Sequence, residues 1–220
     1  MPARELAYRL WQRLRAGRVR RSILHETLPA PLADIVGAAD ATLARLPGHA
    51  LTIPVAPSYT AEIMAAGDDV CAHRARLFGR TVALGDNIDW YRDYLHDAAF
   101  PRVPAAQIDY RSAAGAADIM PVWWLNRHQH MMPAAIAYCV TGNESYAQEV
   151  FQQLEGWLTA CEYPLGPAWL TGIEAGVRLL TWTWLYRFLF SRGRPAACHD
   201  TLLLAWLRAV RQHVRYITTH

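Results

Sequence analysis

The residues with the greatest chemical capacity lie in one stretch, Trp123–Met131, with the sequence WWLNRHQHM. Its indoles, amide, guanidinium and imidazoles offer more hydrogen-bonding and stacking capacity than helix packing alone requires. On a continuous helix, Asn126 and His130 share one face at i, i+4 spacing, and Arg127 lies beside His130 at i, i+3. These three side chains are therefore predicted to converge, whereas His128 points to another face.

Two interpretations of Asn126, Arg127 and His130 stay open. Either they form a buried polar network that only fixes the fold, since buried polar groups must be paired, or they bind a sugar. A metal site is disfavoured, because a His-x-His pair on a helix lacks the i, i+4 spacing of a chelate and no acidic residue lies near it in sequence. We expect neither a metal nor another cofactor.

A second cluster follows about 45 residues later, with Trp169, Glu174, Arg178 and Trp182. The last three repeat at i, i+4, i+8, so they form one stripe on a predicted helix that is otherwise largely apolar. An inward stripe of this kind suits a sugar, because Trp stacks on pyranose faces and Arg pairs with a carboxylate in bidentate fashion. The alternative is an intrahelical Glu174–Arg178 ion pair with Trp182 packed in the core.

Start and stop signals predict the helices that position these residues. We expect helices over residues 118–141, 143–161, 171–190 and 199–220. Gly142 ends the first and Asn143 caps the second, while Pro133 predicts a kink near residues 129–133 because it removes a backbone donor. Two helical hairpins in succession predict an all-α fold of stacked αα pairs.

The first 70 residues are harder to interpret. Leu6, Leu10 and Leu14 line one side of a predicted basic amphipathic helix over about 20 residues, which we expect to dock on the protein itself. Five prolines between residues 28 and 59 leave room for one short helix, around residues 32–45, followed by extended chain. Gly79 then separates two short alternating segments, so a small β-hairpin is predicted near residues 74–84.

Composition excludes several classes of protein. The net charge is +3, and the 22 basic residues, all of them Arg, are spread along the chain, so no nucleic-acid partner is indicated. The N-terminus lacks the apolar core of a signal peptide, and the most apolar run, LLTWTWLYRFLF, contains Arg187 and is too short to span a membrane. We expect a cytoplasmic protein without a membrane partner. The four scattered cysteines predict neither a disulfide framework nor a zinc site.

Three segments carry a family resemblance: FGRTVALGDNIDW, WWLNRHQHMMPAAIAYCVTGNESYAQ and GPAWLTGIEAGVRLLTWTW. In this order, over roughly residues 74–220, they resemble the N-terminal half of the heparinase II/III-like polysaccharide lyases. The resemblance implies an incomplete (α/α) toroid whose cleft holds an acidic polysaccharide, such as heparan sulfate, alginate or a bacterial exopolysaccharide. It also implies β-elimination beside a uronic acid, in which the carboxylate is neutralised and a Tyr or His moves the proton.

The sequence departs from this family pattern at its C-terminus. It stops at Tyr216–His220, about where the family's Asn-His segment begins, so no catalytic residue is carried over. Six residues remain as predicted substrate-binding residues: Asn126, Arg127, His130, Trp169, Glu174 and Arg178. One hypothesis is the N-terminal toroid portion of a polysaccharide lyase, inactive as this chain alone. The other is a non-catalytic α/α protein that binds acidic polysaccharide or serves as a scaffold.

The domain organisation follows from the same pattern. Residues 1–70 are predicted to form a segment that packs on the toroid, and residues 71–220 to form the toroid portion itself. The last helix carries a row of large apolar side chains with no following hairpin to cover them: Leu202, Leu203, Leu204, Trp206, Leu207 and Val210. We therefore expect self-association or a missing C-terminal partner.

Overall fold

The computed structural model describes residues 56–110 and 117–219, together with Gly17, Arg18, Arg21, Ile23 and Asp34. The predicted helices over residues 1–20 and 32–45 fall, apart from those single positions, outside the described residues. Ile23 is helical and buried in the main hydrophobic core. The helices are α1 (Pro57–Cys71), α2 (Ile119–Asn126), α3 (Met132–Thr141), α4 (Glu144–Ala160), α5 (Gly172–Leu189) and α6 (Asp200–Thr219). The strands are β1 (Arg74–Leu77), β2 (Arg80–Ala83), β3 (Arg92–Asp93) and β4 (Ala98–Ala99).

The predicted caps form the helical hairpins. Gly142 follows α3 with a φ of 73°, a left-handed conformation that glycine adopts without strain. The Asn143 side chain then accepts a hydrogen bond from the Ser145 backbone and begins α4. Thr171 caps α5 by accepting from the Glu174 backbone at 3.4 Å. The all-α fold class is confirmed, and α3 packs against α1, α4 and α5, while α6 packs against α4 and α5.

The helix predicted over residues 118–141 is wrong as a continuous element. The chain leaves α2 at Arg127, His128 adopts the left-handed conformation with φ 63°, and a short 3-10 turn leads into α3. Pro133 lies in the first turn of α3, where its missing N–H breaks no helical bond. The predicted kink is thus a complete break that begins earlier, and Asn126 and His130 do not share one helix face.

Helix α1 was not predicted, because extended chain was expected after residue 45. Its apolar side, with Ile63, Gly67 and Val70 at spacings of four and three residues, faces α3 and α4. A Cβ on Gly67 would lie 2.9 Å from the Ala137 Cβ and 3.0 Å from the Tyr146 ring. The close approach of these helices therefore depends on glycine at this position.

The predicted β-hairpin near residues 74–84 is confirmed. Strands β1 and β2 pair antiparallel, with Arg74 opposite Ala83 and Leu77 opposite Arg80. Ala75 and Leu77 point into the core, and the alternate residues of β1 are exposed. A second antiparallel pair, β3 with β4, lies in the loop that leads toward α2.

Helix α6 runs antiparallel to α5 and buries Leu202, Leu203 and Trp206. The expectation that the apolar side chains of this helix lack partners is therefore wrong for these three, whereas Leu204, Leu207 and Val210 are partly buried. The exposed apolar side chains of α6 are instead Val214 and Ile217, near its C-terminal end. Among the described residues, no helix is long and apolar enough to cross a membrane.

Two glycines with positive φ allow a matched test of packing. Gly166 has φ 82°, and a Cβ there would lie 2.3 Å from the Tyr91 ring, whereas Gly193 has φ 95° and an added Cβ would meet nothing within 4 Å. Both substitutions by Ala strain the backbone, Gly166→Ala the more because its ψ of 179° lies in a region almost restricted to glycine, and only Gly166→Ala also displaces a buried ring.

We expect Gly166→Ala to lower the free energy of unfolding by about 1–3 kcal/mol more than Gly193→Ala does, measured by urea denaturation. Equal losses for the two variants would show that Tyr91 does not pack against Gly166.

Candidate functional site

The side chain of Arg178 lies at the centre of the candidate site and is fully buried. Its Nε donates to His213 Nε2 at 2.8 Å, its Nη1 to the Asn126 carbonyl at 2.9 Å, and its Nη2 to the Ala168 carbonyl at 3.0 Å. Burial lowers the pKa of Arg178 to about 10, so the guanidinium stays charged at neutral pH. Arg178 from α5 thus ties together α2, the turn before α5, and α6.

Indole rings surround this buried charge. The Arg178 guanidinium carbon lies 4.5 Å from the centroid of the Trp157 ring and 5.4 Å from that of Trp169, distances typical of cation–π contacts. Trp182 packs edge-on against Trp157 at 5.7 Å, and the His213 ring lies 4.5 Å from Trp169. The result is an aromatic cage around a cation that bonds no carboxylate in the described part of the chain.

Asn126 is also fully buried, and both polar atoms of its side chain form hydrogen bonds. Its Nδ2 donates to the carbonyls of Trp90 and Val122, both at 2.8 Å, and its Oδ1 accepts from Trp157 Nε1 at 2.7 Å. The break after α2 leaves its main-chain carbonyl without a helical partner, and Arg178 supplies one. Asn126 therefore holds the break in place.

The two buried histidines of the cage act as hydrogen-bond acceptors. His213 Nδ1 lies 2.6 Å from the Ala209 carbonyl and must donate to it, so Nε2 is unprotonated and accepts from Arg178. His128 Nδ1 accepts from Trp182 Nε1 at 2.8 Å. Burial, followed by the charge of Arg178, holds the pKa of both imidazoles well below the usual range, so both are neutral.

Arg127 and Glu174 form a bidentate ion pair at the edge of this network. Arg127 donates from Nε and Nη2 to the two carboxylate oxygens, both at 2.8 Å, and its side chain keeps 15% of its surface exposed. This bond raises the pKa of Arg127. Thr171 and Glu174 have capping-box spacing, but the carboxylate pairs with Arg127 rather than capping α5.

His130 belongs to a different chain of hydrogen bonds. Its Nε2 lies 3.0 Å from Gln153 Oε1, Gln153 donates to Glu149 at 2.7 Å, and Glu149 pairs with His73 at 2.9 Å. Burial lowers the pKa of His130 to about 4. His130 is therefore separated from Arg127 and Asn126, which it was predicted to join.

The predicted binding residues thus divide by exposure. Asn126, Trp169, Glu174 and Arg178 are buried, whereas Arg127 and His130 are partly exposed. The stripe of Glu174, Arg178 and Trp182 does share one face, and Glu174 bonds Arg127 rather than Arg178. Sugar binding by these six residues stays a prediction. The described residues include no group of three or more His, Cys, Asp or Glu side chains that could hold a metal ion.

Several residues of the network were not predicted from the sequence to belong to it. His128 was predicted to point away from the cluster, but its left-handed backbone turns the ring into the aromatic cage. His213 lies 35 residues from Arg178, and no spacing rule connects them. Asp93 is also buried, and accepts from the Asp118 backbone at 2.7 Å and from His96 at 2.7 Å, which ties the preceding loop to the start of α2.

Replacement of Arg178 tests the importance of this network. We expect Arg178→Met to lower the free energy of unfolding by ~3–5 kcal/mol, because it leaves the acceptors on Asn126, Ala168 and His213 buried and unpaired. The matched control, Arg208→Met on the exposed side of α6, should change it by less than ~0.5 kcal/mol. Urea denaturation of both variants measures the difference, and similar values would contradict a central role for Arg178.

The neutral histidines also predict how stability depends on pH. The folded-state pKa values of these histidines lie below the unfolded value of about 6.5. Their contribution to the free energy of unfolding is therefore fully present above that pH and is lost as the pH falls toward the lower folded-state pKa values. Each histidine contributes up to ~1.4 kcal/mol per pH unit in this window. Urea denaturation between pH 7 and pH 5 should show this loss. His213→Gln should reduce the slope of the free energy of unfolding against pH by an amount that corresponds to about one proton.

Comparisons with known proteins agree with this architecture. No curated protein sequence matches the chain. The chain is similar to the crystal structures of heparan sulfate lyase HepC from Pedobacter heparinus and of a HepC mutant. For each, the identity is 17% and the TM-score 0.62, over 93% of this chain and 30% of the solved chain. The chain therefore spans about 30% of the length of the solved protein, and at this identity the likeness shows the fold.

The sequence comparison gives the family directly. The family model described as Heparinase II/III N-terminus matches residues 69–220. This range contains the three motifs that carry the resemblance and the helices α2 to α6 that build the buried network. The chain belongs to the heparinase II/III N-terminus family.

Proposed function

We propose that this chain is the helical toroid portion of a polysaccharide lyase that acts by β-elimination on uronic-acid-containing polysaccharide. In this proposal the chain contributes the folded wall and a saccharide-binding surface, and the proton-transfer groups come from elsewhere. The family membership and the helical fold support the lyase class. The nature of the polysaccharide, whether like heparan sulfate, alginate or an exopolysaccharide, belongs to the proposal.

The burial and hydrogen bonding of the network are the observation that carries the non-catalytic role. Elimination needs a cation or donor that reaches the uronate carboxylate and a base that reaches the C5 proton. Arg178 is fully buried and bonded to three acceptors, while His128 and His213 are buried, neutral and already used as acceptors. Burial raises the pKa of Tyr216 to about 12, which makes it a poor base. These groups of the described chain stabilise the fold rather than transfer protons.

The runner-up is a non-catalytic α/α protein that binds acidic polysaccharide or serves as a scaffold. The same observation favours it, because a network committed to structure leaves binding at the surface as the remaining function. The two proposals differ in whether proton-transfer groups ever join this fold. A longer chain that adds proton-transfer groups C-terminal to this fold should carry out elimination only under the first proposal.

We expect the purified 220-residue chain to form no unsaturated uronate from heparan sulfate, alginate or a glucuronate-containing exopolysaccharide. General acid–base assistance alone is worth roughly 100- to 10,000-fold, and loss of carboxylate neutralisation costs a comparable factor, so residual elimination should be undetectable. Ultraviolet absorbance of the new C4–C5 double bond measures it.

The decisive control is a variant of a partly exposed histidine. Turnover by the wild-type chain, free of other lyases and lost in His130→Ala, would overturn the non-catalytic role. Arg178→Ala is less informative here, because loss of folding would abolish turnover as well.

A further inference from the structure

An aromatic side chain stands at the tip of the β1–β2 hairpin. Leu77 pairs with Arg80, so Phe78 and Gly79 form a two-residue turn, and both have positive φ, 49° and 78°. Such turns favour Asn-Gly or Gly-Gly, because a bulky residue in the left-handed region is strained. Phe78 is nonetheless 50% exposed. The hairpin thus holds a benzyl ring at the surface at a cost in backbone energy.

A second aromatic ring lies beside it. Trp124, on α2, is partly buried, and its ring centroid lies 4.9 Å from that of Phe78 with the planes at 47°. The contact joins the hairpin to α2, which carries the first four residues of the WWLNRHQHM stretch. Two adjacent rings offer a larger apolar surface than either alone, at a distance typical of paired aromatic side chains.

A guanidinium with a fixed orientation completes the patch. The Arg127 guanidinium carbon lies 5.0 Å from the centroid of the Trp124 ring, and the two bonds to Glu174 hold it there. These bonds use Nε and Nη2, so the N–H groups on Nη1 point away from Glu174 and are suited to donate to a ligand. Glu174 cancels the charge of Arg127, so the three side chains of the patch with Glu174 have no net charge, while Arg80 beside the turn adds an exposed basic side chain.

This combination matches a sugar ring. The C–H face of a pyranose packs on aromatic rings through its apolar body, and its hydroxyl groups accept hydrogen bonds from a guanidinium. A neutral patch of this kind recognises ring shape and hydroxyl groups more than charge. The contribution of the aromatic contact to binding should accordingly depend little on salt, in contrast to attraction between exposed charges.

We propose that Phe78, Trp124 and Arg127 form a stacking subsite for one pyranose unit of a polysaccharide. The identity of that polysaccharide as an acidic one rests on the proposed function. The subsite is distinct from the buried network around Arg178, and its three residues come from the hairpin and from the end of α2.

The test uses the full chain and isothermal titration calorimetry with heparan sulfate and alginate tetrasaccharides, and with cellotetraose as a neutral probe. Phe78→Asn removes the ring but keeps a residue that the turn favours, so folding is preserved. We expect it and Trp124→Ala to weaken binding about tenfold, and Phe78→Tyr to restore it. The ratio between wild type and Phe78→Asn should stay the same when salt is raised.

A matched control comes from α5. Trp184 is 49% exposed and stacks on Phe188 at 5.9 Å, so Trp184→Ala removes a similar exposed aromatic ring from a different surface and should leave binding unchanged. Equal loss in Trp184→Ala and Phe78→Asn would overturn the subsite, because it would indicate nonspecific apolar contact.

The remaining outcomes separate the subsite from the proposed function. Binding of the acidic tetrasaccharides that is unaffected by Phe78→Asn overturns the subsite and leaves the proposed function standing. Phe78-dependent binding of cellotetraose alone supports the subsite and overturns the acidic substrate. Absence of binding to every saccharide overturns both.

Discussion

Burial of one positive charge is the constraint on which the rest of this structure depends. A guanidinium taken out of water is costly unless its donors find acceptors, and Arg178 finds them on α2, on the turn before α5 and on α6. Three separate parts of the chain must therefore meet at one point for the charge to be tolerated. The indole rings of Trp157 and Trp169 add a favourable electrostatic surface without a second ion. The arrangement of the α5–α6 hairpin against α2 follows from this requirement.

The same charge determines the protonation of its neighbours. His213 must accept from Arg178, and a second positive charge on either buried imidazole would repel it, so both histidines are neutral. The Arg178 guanidinium, His213 Nε2 and His128 Nδ1 are all engaged in hydrogen bonds within the chain. The Arg127–Glu174 pair forms the boundary of the network, since Glu174 lies four residues before Arg178 on the buried side of α5 and the Arg127 side chain is partly exposed. Arg178 thereby has the structural role, and the proposed contact with a ligand falls to Arg127.

Local signals in the sequence predicted the elements well where they act over a few residues. Gly142, Asn143 and Thr171 end and begin helices because their conformations and side chains satisfy nearby backbone groups, and the Gly79 hairpin follows the same logic. The prediction of a continuous helix over residues 118–141 was wrong because the break depends on hydrogen-bond partners far along the chain. Trp182 bonds His128 across 54 residues and Arg178 bonds the Asn126 carbonyl across 52. Helical spacing alone could therefore place Glu174, Arg178 and Trp182 on one face but could not join Asn126 to Arg178 or find His213.

Two left-handed residues show how structural strain can be distinguished from surface function. His128 and Phe78 both occupy a backbone region that costs of order 1–3 kcal/mol for a residue with a side chain. For His128, contacts within the protein offset the cost of the left-handed conformation. The ring is buried among indoles and accepts a hydrogen bond from Trp182, and the break leaves the Asn126 carbonyl free to bond Arg178. For Phe78, contacts within the protein offset little of this cost, because half of the side chain stays exposed. Glycine or asparagine would form the same turn with less strain. The fold accounts for the first residue and does not account for the second. A ring held at the surface under strain, next to Trp124 and a fixed guanidinium, is what the proposed pyranose subsite would account for.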